Sequence, residues 1–505
     1  MASAKANIVA NFVGSAWSAL LGILFVPIYI RYLGVEAYGL IGFFVSIQAF
    51  IYLLDFGLSP TFNRELARLS LSKDNGQEMH DLKRTLGIIN WATALLLFVF
   101  LAVLSPLAAK YWVQPKELSV QSVAEALLIM SATLAIQFFY GFYAGGLLGL
   151  QKQVTLNTIN IVFNSMRSVG SWVVVAFYSP TIHAFLLWQF CTVVIQAVVT
   201  YIALGKSLYK SNSKGVYRND LLKKVWRFAA GMTTLSLLAI ILTQTDKIVL
   251  SKMLPLELFG YYAIAISVSA MTIGIIVSSI TNVVYPNYSR LVAMGDDKEL
   301  KSYYHSSSQL MSAILVPVVS VLAIYSYSII LLWQNDAKIA SNTFILLSIV
   351  TVGSGFNGLI TLPYHMQLAH GWTRLSVILT ASAIVVLIPL MIVGVINFGA
   401  IGGAVAWLAY NSLFGLIMMI FMHRRILKGE LTSWFVSDVL PPIVVTLIVL
   451  FASRYIFQPL TSRTFVFVQL AIVSFLALGI SLISVPFTRN EILVQIKRIL
   501  RHART

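Results

Sequence analysis

Apolar residues run through this chain in blocks of about 20 to 30, separated by short polar interruptions, the pattern expected of helices that cross a bilayer. The blocks predict helices near 9–30, 38–59, 85–109, 118–148, 153–178, 181–204, 228–250, 257–285, 304–333, 339–369, 373–396, 398–422, 434–453 and 464–486, about fourteen in all. The fold class is therefore an all-α polytopic membrane protein. Composition agrees: of 505 residues 58% are hydrophobic and only 10% charged, against roughly 25% charged in soluble chains. Little length remains for a soluble catalytic domain, and the chain is read as a non-enzyme. The opening stretch, with Lys5 ahead of apolar residues that continue to Ile30, lacks a convincing small-residue cleavage site and reads as an uncleaved first span.

Charge changes the picture by setting orientation. The formal net charge is +17, and with a cytoplasmic N-terminus about 26 of the 35 Lys and Arg fall on the cytoplasmic side. Both termini are then expected in the cytoplasm. The segments 60–84 and 205–227 are the largest cytoplasmic connections; the second carries Lys206, Lys210, Lys214, Arg218, Lys223, Lys224 and Arg227 and reads as an orientation signal near anionic lipid. In the tail 487–505, Ile492, Leu493, Ile496, Ile499 and Leu500 share a face opposite Lys497, Arg498 and Arg501, the pattern of an interfacial amphipathic helix. Loops on the opposite side are short, which disfavours a membrane glycosyltransferase or polymerase that must hold substrate outside. The single cysteine, Cys191, excludes an intramolecular disulfide and Cys-ligated metal.

A weak internal repeat organises the helices. LGVEAYGLIG (Leu33 to Gly42) matches LPLELFGYYA (Leu254 to Ala263), pairing Glu36 with Glu257 and Gly39 with Gly260; further on, Pro60 and Arg64 answer Pro286 and Arg290. An offset of six helices predicts two six-helix lobes of like orientation around a central cavity, with any substrate path between them. The expected organisation is an N-lobe over 1–204, a basic linker over 205–227, a C-lobe over 228–424, two additional helices over 434–486, and the tail.

Polar residues inside spans mark candidate chemistry. In the fifth, Gln153, Asn157, Asn160, Asn164, Arg167 and Ser171 recur at helical spacing, placing amides and one guanidinium on one side of the helix. Arg167 lies about 14 residues into the span, where a guanidinium facing lipid costs at least about 3 kcal/mol, so it is expected to face protein or a wet cavity. Interhelical bonding is the competing reading for the asparagines. The first span carries Asn7, Asn11, Ser15 and Ser18; the tenth carries Ser354, Asn357, Thr361 and His365, near Pro363. Asp55, Glu125 and Asp246 are candidates for ion coupling, with cation pairing the alternative, notably for Asp246 beside Lys247. Arg64 and Arg290 are expected at cytoplasmic helix ends, where they would meet an anionic headgroup or simply snorkel. The run Gly353 to Gly358 fits G-x-G-x-x-G but lies in a span without a preceding strand, and no P-loop occurs. Neither cofactor nor metal is called for, and nucleic acid is not an expected partner.

The segment from Asn11 to Leu66, with R-x-L-G-x-x-x-Y-G (Arg31 to Gly39) and D-F-G-L (Asp55 to Leu58), resembles the polysaccharide-transport branch of the multidrug/oligosaccharidyl-lipid/polysaccharide exporter superfamily. Thr245 to Ala265 is similar to the start of that family's second lobe. The resemblance implies a Wzx-type O-antigen flippase, moving an undecaprenyl-diphosphate-linked oligosaccharide from the inner to the outer leaflet of a bacterial cytoplasmic membrane by alternating access. It also implies the bilayer, a polysaccharide polymerase and a chain-length regulator as partners. Related lipid II flippases place arginines inside the first helix, whereas this first span has none before Arg31, so Arg167 is the local candidate for the diphosphate. A cation-coupled drug antiporter of the same fold and a passive scramblase are the alternatives.

Overall fold

The computed structural model describes residues 4–51, 57–211, 213–219, 241–456, 462–491 and 493–494. Among them every regular element is helical. Eleven helices among the described residues are long and apolar enough to cross a membrane. Two of these each hold two expected spans that meet at a kink: α1 (Ala4–Ile51) at Gly34, φ 84°, and α12 (Thr373–Arg425) at Gly399, φ 57°. A positive φ suits glycine, which has no Cβ to clash with the backbone. The expected seventh span is described from 241, as α7 (241–253). About fourteen crossings are thus accounted for.

The chain divides into two compact units, Met1–Gly260 and Tyr261–Thr505, so α7 belongs with the first. In the first unit the expected loop 60–84 is largely helix. Helix α2 (Leu58–Leu69) buries Leu58, Phe62, Leu66 and Leu69 against α3 (Gly76–Tyr111) and α4 (Val120–Gly149), and Phe62 stacks on Phe142 at 4.4 Å. A four-residue apolar repeat on a short helix is easily hidden in a loop with many charges. Its outer face carries Arg64 and Arg68, both bonded to Glu65, at 2.7 and 2.9 Å.

Burial pushes the Glu65 carboxyl up, but hydrogen bonds and charge from the two arginines hold it below the ordinary glutamate value. A folded-state value below the unfolded one contributes stability above the unfolded value, and that contribution is lost as pH falls through the folded value. Glu65→Gln should therefore flatten the acid side of the thermal-stability profile, compared with wild type by unfolding midpoints from about pH 6 to 3. Parallel profiles would remove Glu65 as a source of acid sensitivity.

The described part of the basic linker is docked on α3. The Ser213 hydroxyl donates to Gln77 at 2.7 Å, the Val216 N–H to Asp81 at 2.8 Å and the Arg218 N–H to Thr85 at 2.9 Å. Gln77, Asp81 and Thr85 recur every four residues, one face of the helix. The reading of 205–227 as an orientation signal omitted this. Lys223, Lys224 and Arg227 lie outside the described residues, as do Asp55 and, in the tail, Ile492 and residues 495–505.

The repeat residues also have a structural use. Glu36, 2% exposed, accepts backbone N–H groups from Lys116, Glu117 and Leu118 at 2.8, 2.8 and 3.2 Å, closing the turn between α3 and α4. Gly39 meets the segment 256–260: a Cβ there would lie 2.5 Å from the Leu256 carbonyl oxygen, and one on Gly260 would lie 2.4 Å from that of Val35. The two equivalent glycines pack backbone to backbone.

In the second unit α9 (Asp297–Ile324) packs against α11 (Ala337–Ala369), α14 (Leu440–Ile456) and α15 (Arg463–Ser484). Helix α12, the part of α8 (Leu256–Met294) from Tyr261 on, α10 (Ser326–Gln334) and α13 (Glu430–Ser433) complete it, with a π-helical turn, Trp434–Val439, joining α13 to α14.

Candidate functional site

The polar side of α5 (Gln153–Val173) is two faces rather than one. Asn157 donates to Asn11 at 2.6 Å and Asn164 donates to Ser18 at 2.9 Å, both on α1, where Trp17 also donates to Ser165 at 2.8 Å. Asn160 and Arg167 turn instead toward α4 and α6 (Ile182–Ser207). A guanidinium N–H of Arg167 donates to Gln196 Oε1 at 2.6 Å, Gln196 Nε2 donates to Asn160 Oδ1 at 3.1 Å, and the Tyr140 hydroxyl donates to the same oxygen at 2.6 Å. One helical turn on, Gln189 donates to Ser171 at 3.0 Å.

Close approach of α6 makes this possible. Trp188 lies over Gly170, where a Cβ would fall 2.2 Å from its ring, and its indole N–H donates to the Met166 carbonyl at 3.0 Å. On the other side Tyr29 of α1 donates to the Ser168 carbonyl at 3.0 Å and meets Phe185 edge-on at 4.9 Å. Gln196 is 4% exposed, whereas Arg167 is half-buried. Gln196, bridged to Asn160 and Tyr140, orients the guanidinium. An oriented guanidinium presents planar, paired donors suited to phosphate oxygens.

Gln196 and Tyr140 were not singled out from the sequence, although a signal existed for the first: Gln189, Thr192, Gln196 and Thr200 repeat along one face of the sixth span, and the last three are buried. The other candidates are not gathered at Arg167. Arg64 is bonded to Glu65 on α2. Glu125, expected two turns inside its span, sits in the second turn of α4 with its side chain 55% exposed, 3.4 Å from His183 and bonded by Gln121. Asp246 is buried on α7, and Lys247 beside it donates to Gln244 at 2.9 Å. In the second unit Arg290 is exposed near the end of α8. His365 bonds the Thr361 carbonyl at 2.7 Å and packs edge-on against Tyr285 at 5.2 Å, while Asn357 of the same helix donates to Asn411 of α12 at 3.0 Å. All three contacts of the α11 stripe are packing contacts.

About fourteen crossings, with an oriented arginine among them, make this a multi-pass membrane protein whose fold is shared with solved structures. The chain is 17% identical to a lipid II flippase, MurJ, in an inward closed conformation, with a TM-score of 0.71 over 96% of this chain and 99% of that one. Against an inward-facing multidrug resistance MATE family transporter the TM-score is 0.60 at 13% identity, covering 82% and 95%. A Shigella flexneri protein named for O-antigen transport is 24% identical over 413 residues, 79% of this chain and 93% of its own length. Residues 4–292 match the family described as polysaccharide biosynthesis protein, and the chain belongs to that family, in the polysaccharide-transport branch of the multidrug/oligosaccharidyl-lipid/polysaccharide exporter superfamily.

Proposed function

We propose that this protein is a flippase that carries an undecaprenyl-diphosphate-linked oligosaccharide, an O-antigen or related repeat unit, from the inner to the outer leaflet of a bacterial cytoplasmic membrane by alternating access. The observation that carries the reading is Arg167, oriented by its bond to Gln196 inside a membrane-spanning helix of a chain from this family. A diphosphate entering a low-dielectric environment needs charge-assisted donors, and a guanidinium supplies them. In this reading Arg167 meets the diphosphate, Asn160 and Gln196 position it, and Arg64 and Arg290 attract the headgroup at the cytoplasmic side, where both termini lie. Asp246, buried in the first unit, is the carboxylate best placed for a coupling ion. Units delivered outside would pass to a polymerase and its chain-length regulator.

Expression in a host lacking its own repeat-unit flippase should restore surface polysaccharide; no restoration across several compatible glycan backgrounds would count against the proposal. Gln196→Leu keeps the volume and removes the acceptor, and should lower that polymer about tenfold by misplacing the guanidinium, with membrane levels unchanged. Wild-type polymer in this variant would show that Gln196 does not position Arg167. The likeness to a MATE transporter makes drug antiport the competing reading, which predicts altered drug tolerance with unaltered polymer.

A further inference from the structure

The second unit holds a polar cluster that the flippase reading does not use. Asp438 lies in the π-helical turn and is fully buried. π-helical turns interrupt regular helix and often sit where a side chain must be aimed inward. Three residues on one face of α9 hold Asp438: His305 Nδ1 is 2.5 Å from Oδ2, Gln309 Nε2 donates to Oδ1 at 2.9 Å, and the Ser312 hydroxyl donates to the backbone carbonyl. Pro442, four residues on, has no N–H to give that carbonyl an α-helical bond.

His305 turns its second nitrogen to another carboxylate, with Nε2 3.3 Å from Glu430 Oε2, and Glu430 pairs with Lys301 at 3.0 Å. An imidazole flanked by carboxylate oxygens at both nitrogens satisfies both contacts only as imidazolium. The neighbouring titratable groups are already engaged. Buried Tyr304 contacts His423 Nε2 at 3.1 Å, His423 Nδ1 contacts the Met419 carbonyl at 2.9 Å, and Tyr288 bonds Ser307 at 2.6 Å. His305 and Glu430 retain partial exposure, 20% and 24% for their side chains, whereas Asp438 has none. Gln309 also accepts the Phe487 N–H at 2.9 Å, linking the cluster to the chain leaving α15.

We propose that His305, between Asp438 and Glu430, is a proton-binding site whose occupancy controls the contact of α9 with the π-helical turn and α14. On release the proton leaves Nε2, passes by way of Glu430 to water, and the ring becomes neutral with its Nδ1–H still on Asp438. The Glu430 contact is then lost, and the Asp438 charge is left buried beside a neutral ring, which a low-dielectric interior disfavours. Occupied and empty states thus favour different packing. Use of this site by a proton gradient during transport rests on the flippase reading; the proton site itself does not.

The test is infrared difference spectroscopy on the full chain, 15N-labelled at histidine and reconstituted in phospholipid vesicles, stepped between about pH 5 and 9. Imidazole and carboxylate bands are expected to change together at one midpoint; His305→Gln should remove both, and Glu430→Gln should keep both but move the midpoint. If His305→Gln fails to reach the membrane, Asp438→Asn should remove the carboxylate band and displace the imidazole transition. Histidine bands that ignore these substitutions, or imidazole and carboxylate signals with separate midpoints, would overturn the proposal. Since no transport is read, either outcome leaves the flippase reading to its own test.

Discussion

Arg167→Ala is expected to lower surface polysaccharide at least about a hundredfold in a complemented host, with the protein reaching the membrane in normal amount. Two features set that size. Alanine removes the guanidinium charge together with its bond to Gln196, which Asn160 and Tyr140 hold in line. The proposed ligand also carries its charge in a diphosphate, whose transfer into an apolar setting depends on charge-assisted donors. Arg167→Lys keeps the charge but loses the planar fork, and should recover only part of the polymer. Quantitative lipopolysaccharide or capsule analysis beside immunoblots of membranes reads both outcomes. Polymer within twofold of wild type in Arg167→Ala would remove this residue from the transport path.

Glu36→Ala is expected to have the largest effect on stability. One buried carboxylate accepts three backbone N–H groups from the turn Lys116–Leu118, and truncation leaves all three donors without that acceptor. A hydrogen bond to a charged group contributes about 1.5–3 kcal/mol net, and with non-additivity and water reaching the exposed turn the total should be about 3 kcal/mol. A lowered unfolding midpoint in detergent and reduced membrane levels are the expected readouts. Glu36→Gln keeps one acceptor oxygen but turns an amide N–H toward the same donors, so it should recover little. An unchanged midpoint in Glu36→Ala would show that the turn is held by other contacts.

Glu36 also shows how far the sequence could be read. It was visible as a repeat marker with Glu257, but its partners come from a turn about 80 residues away, which no local pattern exposes. Gly39 and Gly260 were likewise visible as equivalents, and only the packing shows that they meet. Span number was legible because hydropathy reports the solvent a segment prefers. The breaks near Gly34 and Gly399 were legible as well, since the expected spans end at 30 and 396 and resume at 38 and 398; only the continuation of the chain as kinked helix across each glycine was not.

The α5 stripe was legible as a helix face, but its division was not. Three-residue steps turn back about 60°, enough to send Asn157 and Asn164 to α1 while Asn160 and Arg167 reach α6. The Asp438 cluster escaped notice for a different reason. His305, Gln309 and Ser312 share a face of α9, but they lie at the polar end of their span and their common partner is in another helix. Sequence periodicity names a face; it does not name what the face meets.

The central claim is that this protein moves a lipid-linked glycan across the bilayer, and leaflet location tests it most directly. In a strain lacking the protein but retaining the cytoplasmic enzymes that build the repeat unit, the undecaprenyl-diphosphate-linked oligosaccharide should accumulate and remain inaccessible to a membrane-impermeant lectin or glycosidase added to spheroplasts. Restoring the wild-type chain should expose it, and restoring Arg167→Ala should not. Lipid-linked oligosaccharide equally accessible from outside with and without the protein would contradict the account.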